Sequence, residues 1–210
     1  MTPFTTLSVV AAPILRANVD TDLIIPIDRM VGNAIRGTLG RWCFRALRYL
    51  PDGSENPEFI LNRPPYRGAE ILITGSNFGC GSSREAAVWA LQEMGIRAVV
   101  GSSFGDIFFN NCFQNGVLPV VLDEAVVRSL AAEVEASQGA GRVTVDLAEG
   151  VVVSPLGARH AFAVEPRRRT ALLEGLDDIG LTLRRGDEIA AFQARDRERR
   201  PWIHFSGDGA

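Results

Sequence analysis

Residues 75–91, GSNFGCGSSREAAVWAL, gather glycines, hydroxyls, one thiol and one fixed positive charge at the approach to a helical run. A helix that opens at Ser82 and Ser83 presents unpaired backbone N–H groups and the positive end of its dipole, which together favour a carboxylate or an oxyanion. Arg84 adds a planar fork that takes a carboxylate through two parallel hydrogen bonds. Gly75, Gly79 and Gly81 let the backbone approach a ligand where a Cβ would stand in the way. Such a set can hold a small anion. It can equally be a turn and a cap, because serine is a common N-cap and glycine a common turn residue, and the spacing leaves both open.

Other residues with chemical potential are less well placed. GCGSSR supplies a G-x-G but has Arg84 where a dinucleotide fingerprint needs its third glycine, and no ribose-binding acid follows at the right distance. Cys80 lies where a thiolate is favoured, yet no histidine stands near it in sequence to act as a base. Cys112 falls in an apolar helix and reads as core, His160 as a surface residue at a strand end, and His204 as part of the tail. Arg167, Arg168 and Arg169 read as a solvated helix start, and Asp20 and Asp22 as turn residues before they read as metal ligands.

The elements that must position this chemistry are clearest in the middle of the chain. AEILITG (69–75) predicts a buried strand, and Ser82 with Glu85 three residues on is a capping-box signature for a helix that Gly95 ends. IRAVVGS is a second strand, FGDIFFNNCFQNG a helix closed by Gly116, and VLPVVL a third strand. This is β-α-β-α-β, an α/β class with a parallel, sandwiched sheet. DEAVVRSLAAEVEA predicts an amphipathic helix, QGAG a turn, and RVTVDL with GVVVSP a hairpin. From Glu165 on, short helices punctuated by Gly175, Gly180 and Gly186 are expected, then an exposed charged tail. NVDTDLIIP reads as a turn before an apolar run that Pro26 stops, and VGNAIRGTLG as a mobile loop of the kind that carries substrate contacts. The expected organisation is one domain over 1–200 and a flexible tail over 201–210.

Composition narrows the function classes. The chain has 210 residues, 46% of them hydrophobic, enough for a sizeable core. A formal net charge of -3 gives no general pull toward nucleic acid, so any anion affinity is local. No apolar stretch approaches the roughly 20 residues that span a bilayer, and the N-terminus lacks a basic leader, so neither a membrane nor a secretory signal is expected and the location is cytoplasmic by default. Cys43, Cys80 and Cys112 are far apart and odd in number, against a disulfide framework, a paired zinc site or an iron–sulfur cluster held by this chain alone. A metal, if one is used, must come from elsewhere.

NVDTDLIIP, NFGCGSSRE, SSFGDIFFNNCFQNGVLP and GLDDIGLTL, in this order between about Asn18 and Phe192, resemble the small subunits of 3-isopropylmalate dehydratase in the aconitase superfamily. The resemblance implies a swivelling β/β/α domain and a partner, a large subunit that bears a 4Fe-4S cluster. It also implies interconversion of 2-isopropylmalate and 3-isopropylmalate, small dicarboxylates, by loss and re-addition of water. On that likeness Ser82 is the base that removes the proton next to a carboxylate, Ser83 hydrogen-bonds substrate, Arg84 grips a carboxylate, and Arg36, in RGTL, is a further substrate-binding arginine. Ala86 stands where the family commonly has histidine in S-S-R-E-H-A, and Thr170 where a histidine is frequent; the 27–42 loop also departs from the usual version. A related hydro-lyase acting on citraconate or dimethylmaleate, and a non-catalytic small-anion binding module, are the alternatives.

Overall fold

The computed structural model describes residues 1–29 and 36–203. Among the described residues eight strands make two sheets. One is antiparallel, in the order β1 (Thr6–Val9), β6 (Val143–Asp146), β7 (Val151–Val153), β8 (Arg159–Ala161). The other is parallel, in the order β2 (Ala11–Ile14), β3 (Ile71–Thr74), β4 (Ala98–Gly101), β5 (Leu118–Val121). Val10 alone separates β1 from β2, so the chain changes sheets within one residue.

The parallel sheet is the expected β-α-β-α-β with one strand added before it. α3 (Glu85–Glu93) joins β3 to β4 and α4 (Asp106–Asn115) joins β4 to β5. Successive right-handed crossovers carry these two helices to one side, where they pack on each other. α5 (Glu124–Ala136) lies across β2, β3 and β4. Every residue of β2, β3 and β4 is therefore buried, and their runs are continuously apolar apart from Thr74, as a sheet covered on both faces requires. Gly95 at φ +93° and Gly116 at φ +78° close α3 and α4 in the left-handed conformation.

Five more helices complete the described frame: α1 (Thr21–Ile24), α2 (Arg45–Arg48), α6 (Pro166–Glu174), α7 (Asp178–Leu183) and α8 (Gly186–Arg199). One hydrophobic core runs from Phe4 to Leu172 through all these strands and helices except β8, α2, α7 and α8. Gly175, at φ +68°, ends α6, whereas Gly180 lies inside α7 and does not punctuate it: the break falls at Arg184 and Arg185. His160 sits in the middle of β8 opposite Val152, not at a strand end, because a strand at 159–161 closes the antiparallel sheet. The start of the predicted tail forms a short 3-10 turn at Pro201–Ile203; the rest of it, with His204, lies outside the described residues. Among the described residues no helix is long and apolar enough to cross a membrane.

Candidate functional site

The loops that leave β2, β3 and β4 emerge at the carboxyl ends of parallel strands, where open α/β sheets bind ligands. They are laced together by their backbones. Asn18 N–H donates to Ser76 O (2.9 Å), Gly79 N–H to Val19 O (2.7 Å), Thr21 N–H to Cys80 O (2.9 Å), and Gly105 N–H to Phe78 O (2.9 Å). Parallel bridges pair Asp20 with Cys80 and Phe78 with Phe104, so the strand order β2-β3-β4 persists beyond the strands themselves. Residues 75–84 are the middle ribbon of this extension.

The middle ribbon corrects two readings of the sequence. Gly75 and Gly79 face packed protein, not a ligand: a Cβ on Gly75 would lie 2.6 Å from the Leu15 and Arg16 carbonyl oxygens, and one on Gly79 would enter the Phe108 ring. Gly81, at φ +88°, turns the chain past Asp20 and Thr21 and is the one of the three that serves the geometry of the serine pair. The capping box is also absent. α3 begins at Glu85, its N-cap position is Arg84 in an extended conformation, and no side chain caps it. Two contacts explain this. Thr21 Oγ1 donates to the Ser82 carbonyl (2.8 Å), holding that residue short of the helix, and the Glu85 carboxylate accepts from Asn115 Nδ2 (2.8 Å) on α4 and does not reach back to Ser82.

What remains is an uncapped helix start preceded by two exposed hydroxyls, those of Ser82 and Ser83. Arg84 lies beneath them, only 8% exposed, and its Nη1 forms an ion pair with the half-exposed carboxylate of Asp22, the second residue of α1. The pair is close, yet Nη1 has no aligned hydrogen-bond acceptor. Nη1 is itself sealed from solvent, so the pairing with Asp22 is what offsets the cost of burying this charge. Asp20 has the turn role foreseen for it, capping α1 by accepting from Leu23 N–H (2.7 Å). Asp22 was not legible as Arg84's partner, because the two are brought together only by the bridge between their loops.

Arg36 stands apart from this trio. Its guanidinium lies over the Trp89 ring at 5.1 Å and Nη2 is 3.3 Å from Asn115 Oδ1 and 3.4 Å from Gln92 Oε1, along the flank of α3. The described part of the loop expected to be mobile is fastened at 37–40 to Glu93; the remainder at 31–35 lies outside the described residues. Cys80 is half-buried beside Asp20, while Cys43 and Cys112 are fully buried, and burial pushes both of their thiols well above the ordinary range. Among the described residues no group of three or more histidine, cysteine, aspartate or glutamate side chains is arranged to hold a metal.

A cavity of about 750 Å³ lies elsewhere, lined by Asn110, Phe113, Arg168, Leu176 and Asp177 among others. Arg168, one of its two lining arginines, is already engaged: it donates to Asn110 Oδ1 (2.7 Å) and lies over the Phe113 ring at 4.9 Å. Size alone does not make it the site, and residues 82–84 remain the candidate.

Comparison with known proteins shows the family of the chain. Residues 1–125 match the family of aconitase C-terminal domains, and residues 178–205 match the family formed by the C-terminal domain of the 3-isopropylmalate dehydratase small subunit. The chain is 55% identical to the 3-isopropylmalate dehydratase small subunit of Cupriavidus necator, over 99% of this chain and 100% of that one. It is 51% identical to the protein of the same name from Paramagnetospirillum magneticum, over 97% of this chain and 100% of the relative. In fold it is similar to a crystal structure of 3-isopropylmalate dehydratase from Methanocaldococcus jannaschii, with a TM-score of 0.62 at 22% identity, covering 90% of this chain and 99% of the other.

Proposed function

Because the chain belongs to the family of 3-isopropylmalate dehydratase small subunits, hydro-lyases of leucine biosynthesis, we propose that the surface before α3 is its half of an active site completed by a large subunit. The substrate is 2-isopropylmalate, dehydrated and rehydrated to 3-isopropylmalate. Ser82 removes the proton next to a carboxylate. An alkoxide is costly near neutral pH, and the uncapped N–H groups opening α3, with Arg84 beneath them, supply the positive potential that lowers that cost. Ser83 donates a hydrogen bond to substrate, Arg84 binds a substrate carboxylate, and Arg36 adds a further anchoring charge.

The large subunit bears the 4Fe-4S cluster, which supplies Lewis-acid assistance to the departing hydroxyl. The thiols of this chain do not fit it: two are sealed in the core and Cys80 stands alone. We read residues 1–200 as one domain with 201–210 as a tail; the single core from Phe4 to Leu172 supports the one-domain part of this reading as far as α6.

The observation that carries the assignment is the combination at 82–84: hydroxyls left exposed by a helix that does not use them as caps, above a buried guanidinium short of an acceptor. Ser82→Ala in the reconstituted two-subunit enzyme is expected to lower kcat at least ~1000-fold, the scale of losing a group that acts only in the transition state, while the two proteins still co-elute on size exclusion. Turnover close to that of wild type removes Ser82 as the base.

A further inference from the structure

Glu93 ends α3, at the opposite end of that helix from Ser82–Arg84. A carboxylate in the last turn opposes the negative end of the helix dipole, so helix stability does not explain its presence. Its oxygens are occupied by another segment. Gly37 N–H donates to Oε1 (2.5 Å), and Leu39 N–H (2.5 Å) and Gly40 N–H (2.7 Å) donate to Oε2. The approach is so close that a Cβ on Gly40 would lie 2.8 Å from the Glu93 Cβ. Buried Leu39 and the bond from Arg48 Nη1 to the Gly40 carbonyl (3.1 Å) secure the same stretch from its other side.

The direction of the clamped segment gives it a purpose. Read from residue 40 back to 36, the chain meets Glu93 first, then Gln92 and Trp89, and so climbs α3 toward the end where substrate docks. Arg36 is delivered to the Trp89 face, one helical turn beyond Glu85. There Asn115 accepts from Arg36 Nη2 and from Trp89 Nε1 (2.9 Å) while donating to Glu85.

We propose that Glu93 is a positioning residue for substrate binding: by holding the 37–40 backbone it fixes how far along α3 Arg36 reaches. The inference rests on the reading of Arg36 as a substrate-binding arginine, and the experiment separates the two. In the reconstituted enzyme with 2-isopropylmalate, Glu93→Gln, which replaces one acceptor oxygen with a donor, is expected to raise KM about tenfold with kcat within about twofold of wild type, the signature of lost uniform binding, and with assembly of the two proteins intact. Glu93→Asp keeps the carboxylate and is expected to recover part of that loss, which a simple packing defect would not. Arg36→Ala is expected to raise KM at least as much, and Glu93→Gln added to it to raise KM no further, since the clamp acts through Arg36. Wild-type KM in both Glu93 variants beside a defective Arg36→Ala overturns the clamp and leaves Arg36 in place. Wild-type KM in Arg36→Ala overturns the reading of Arg36, and strictly additive effects overturn the link between the two residues.

Discussion

Helices α3 and α8 are both built from mixed apolar and charged residues, and they are held in opposite ways. α3 buries Ala86, Ala87, Val88, Ala90 and Leu91 and packs on α4, α1 and the turn at Gly40–Trp42; α8 is longer and has no buried residue. Phe192 on α8 is 57% exposed, whereas Leu91 is 0% exposed. The side chains differ less than the surfaces available to them. α3 is tied by both neighbouring strands and by α4, while α8 follows α7, which itself adds no buried residue. The proposed site sits on the helix whose position the core dictates, which is where a constellation needing sub-ångström placement has to be.

Stability measurements on the isolated chain can break or sharpen this contrast. Leu91→Ala removes a fully buried side chain and is expected to cost about 3 kcal/mol in urea unfolding. Gly79→Ala combines a positive φ with a collision against Phe108 and is expected to cost about 2 kcal/mol or more. Gly95→Ala carries the strained φ with open space around the new methyl, so about 1 kcal/mol is expected; equal losses at 79 and 95 would show that the Phe108 contact contributes nothing. Phe192→Ala is expected to fall within about 0.5 kcal/mol of wild type, and a loss of about 2 kcal/mol or more would mean that α8 packs on the body in solution.

The smallest effect is in pH. Backbone N–H donation from Glu149 and the Thr6 hydroxyl hold Asp146 below the usual carboxylate range, where β6 pairs with β1. A lowered carboxylate contributes stability above its unfolded pKa of about 3.9 and loses it as pH falls through the folded value. Asp146→Asn should therefore lower Tm modestly near neutral pH and converge on wild type in acid. Glu188 on α8 is lowered as well, by Arg185, but Glu188→Gln should leave the global Tm unmoved at any pH because that pair lies on an unburied helix.

The sequence was most readable where hydrophobic periodicity and glycine agree. The strands at 71–74, 98–101 and 118–121 and the helices between them fall where apolar runs and the closing Gly95 and Gly116 place them. It was least readable where partners are distant. Ser82 and Glu85 match the capping-box spacing, yet Thr21 and Asn115 hold one and divert the other, and neither is a local neighbour. Strands β1, β2 and β8 were invisible for the same reason: each is short and is defined by what it pairs with. Four ordered motifs gave the family, but they could not show that Gly75 and Gly79 serve packing or that Glu93 fastens the 37–40 backbone.

The one-residue passage from β1 to β2 has a consequence for how the molecule is made. Thr6 meets Asp146 across 140 positions, while β2 can pair with β3 once residue 74 has been synthesised. During translation the parallel half can close while the first strand still waits, its edge unpaired, for a sequence the ribosome has not yet added. Such late, long-range pairing is slow and leaves a newborn chain open to association with its neighbours.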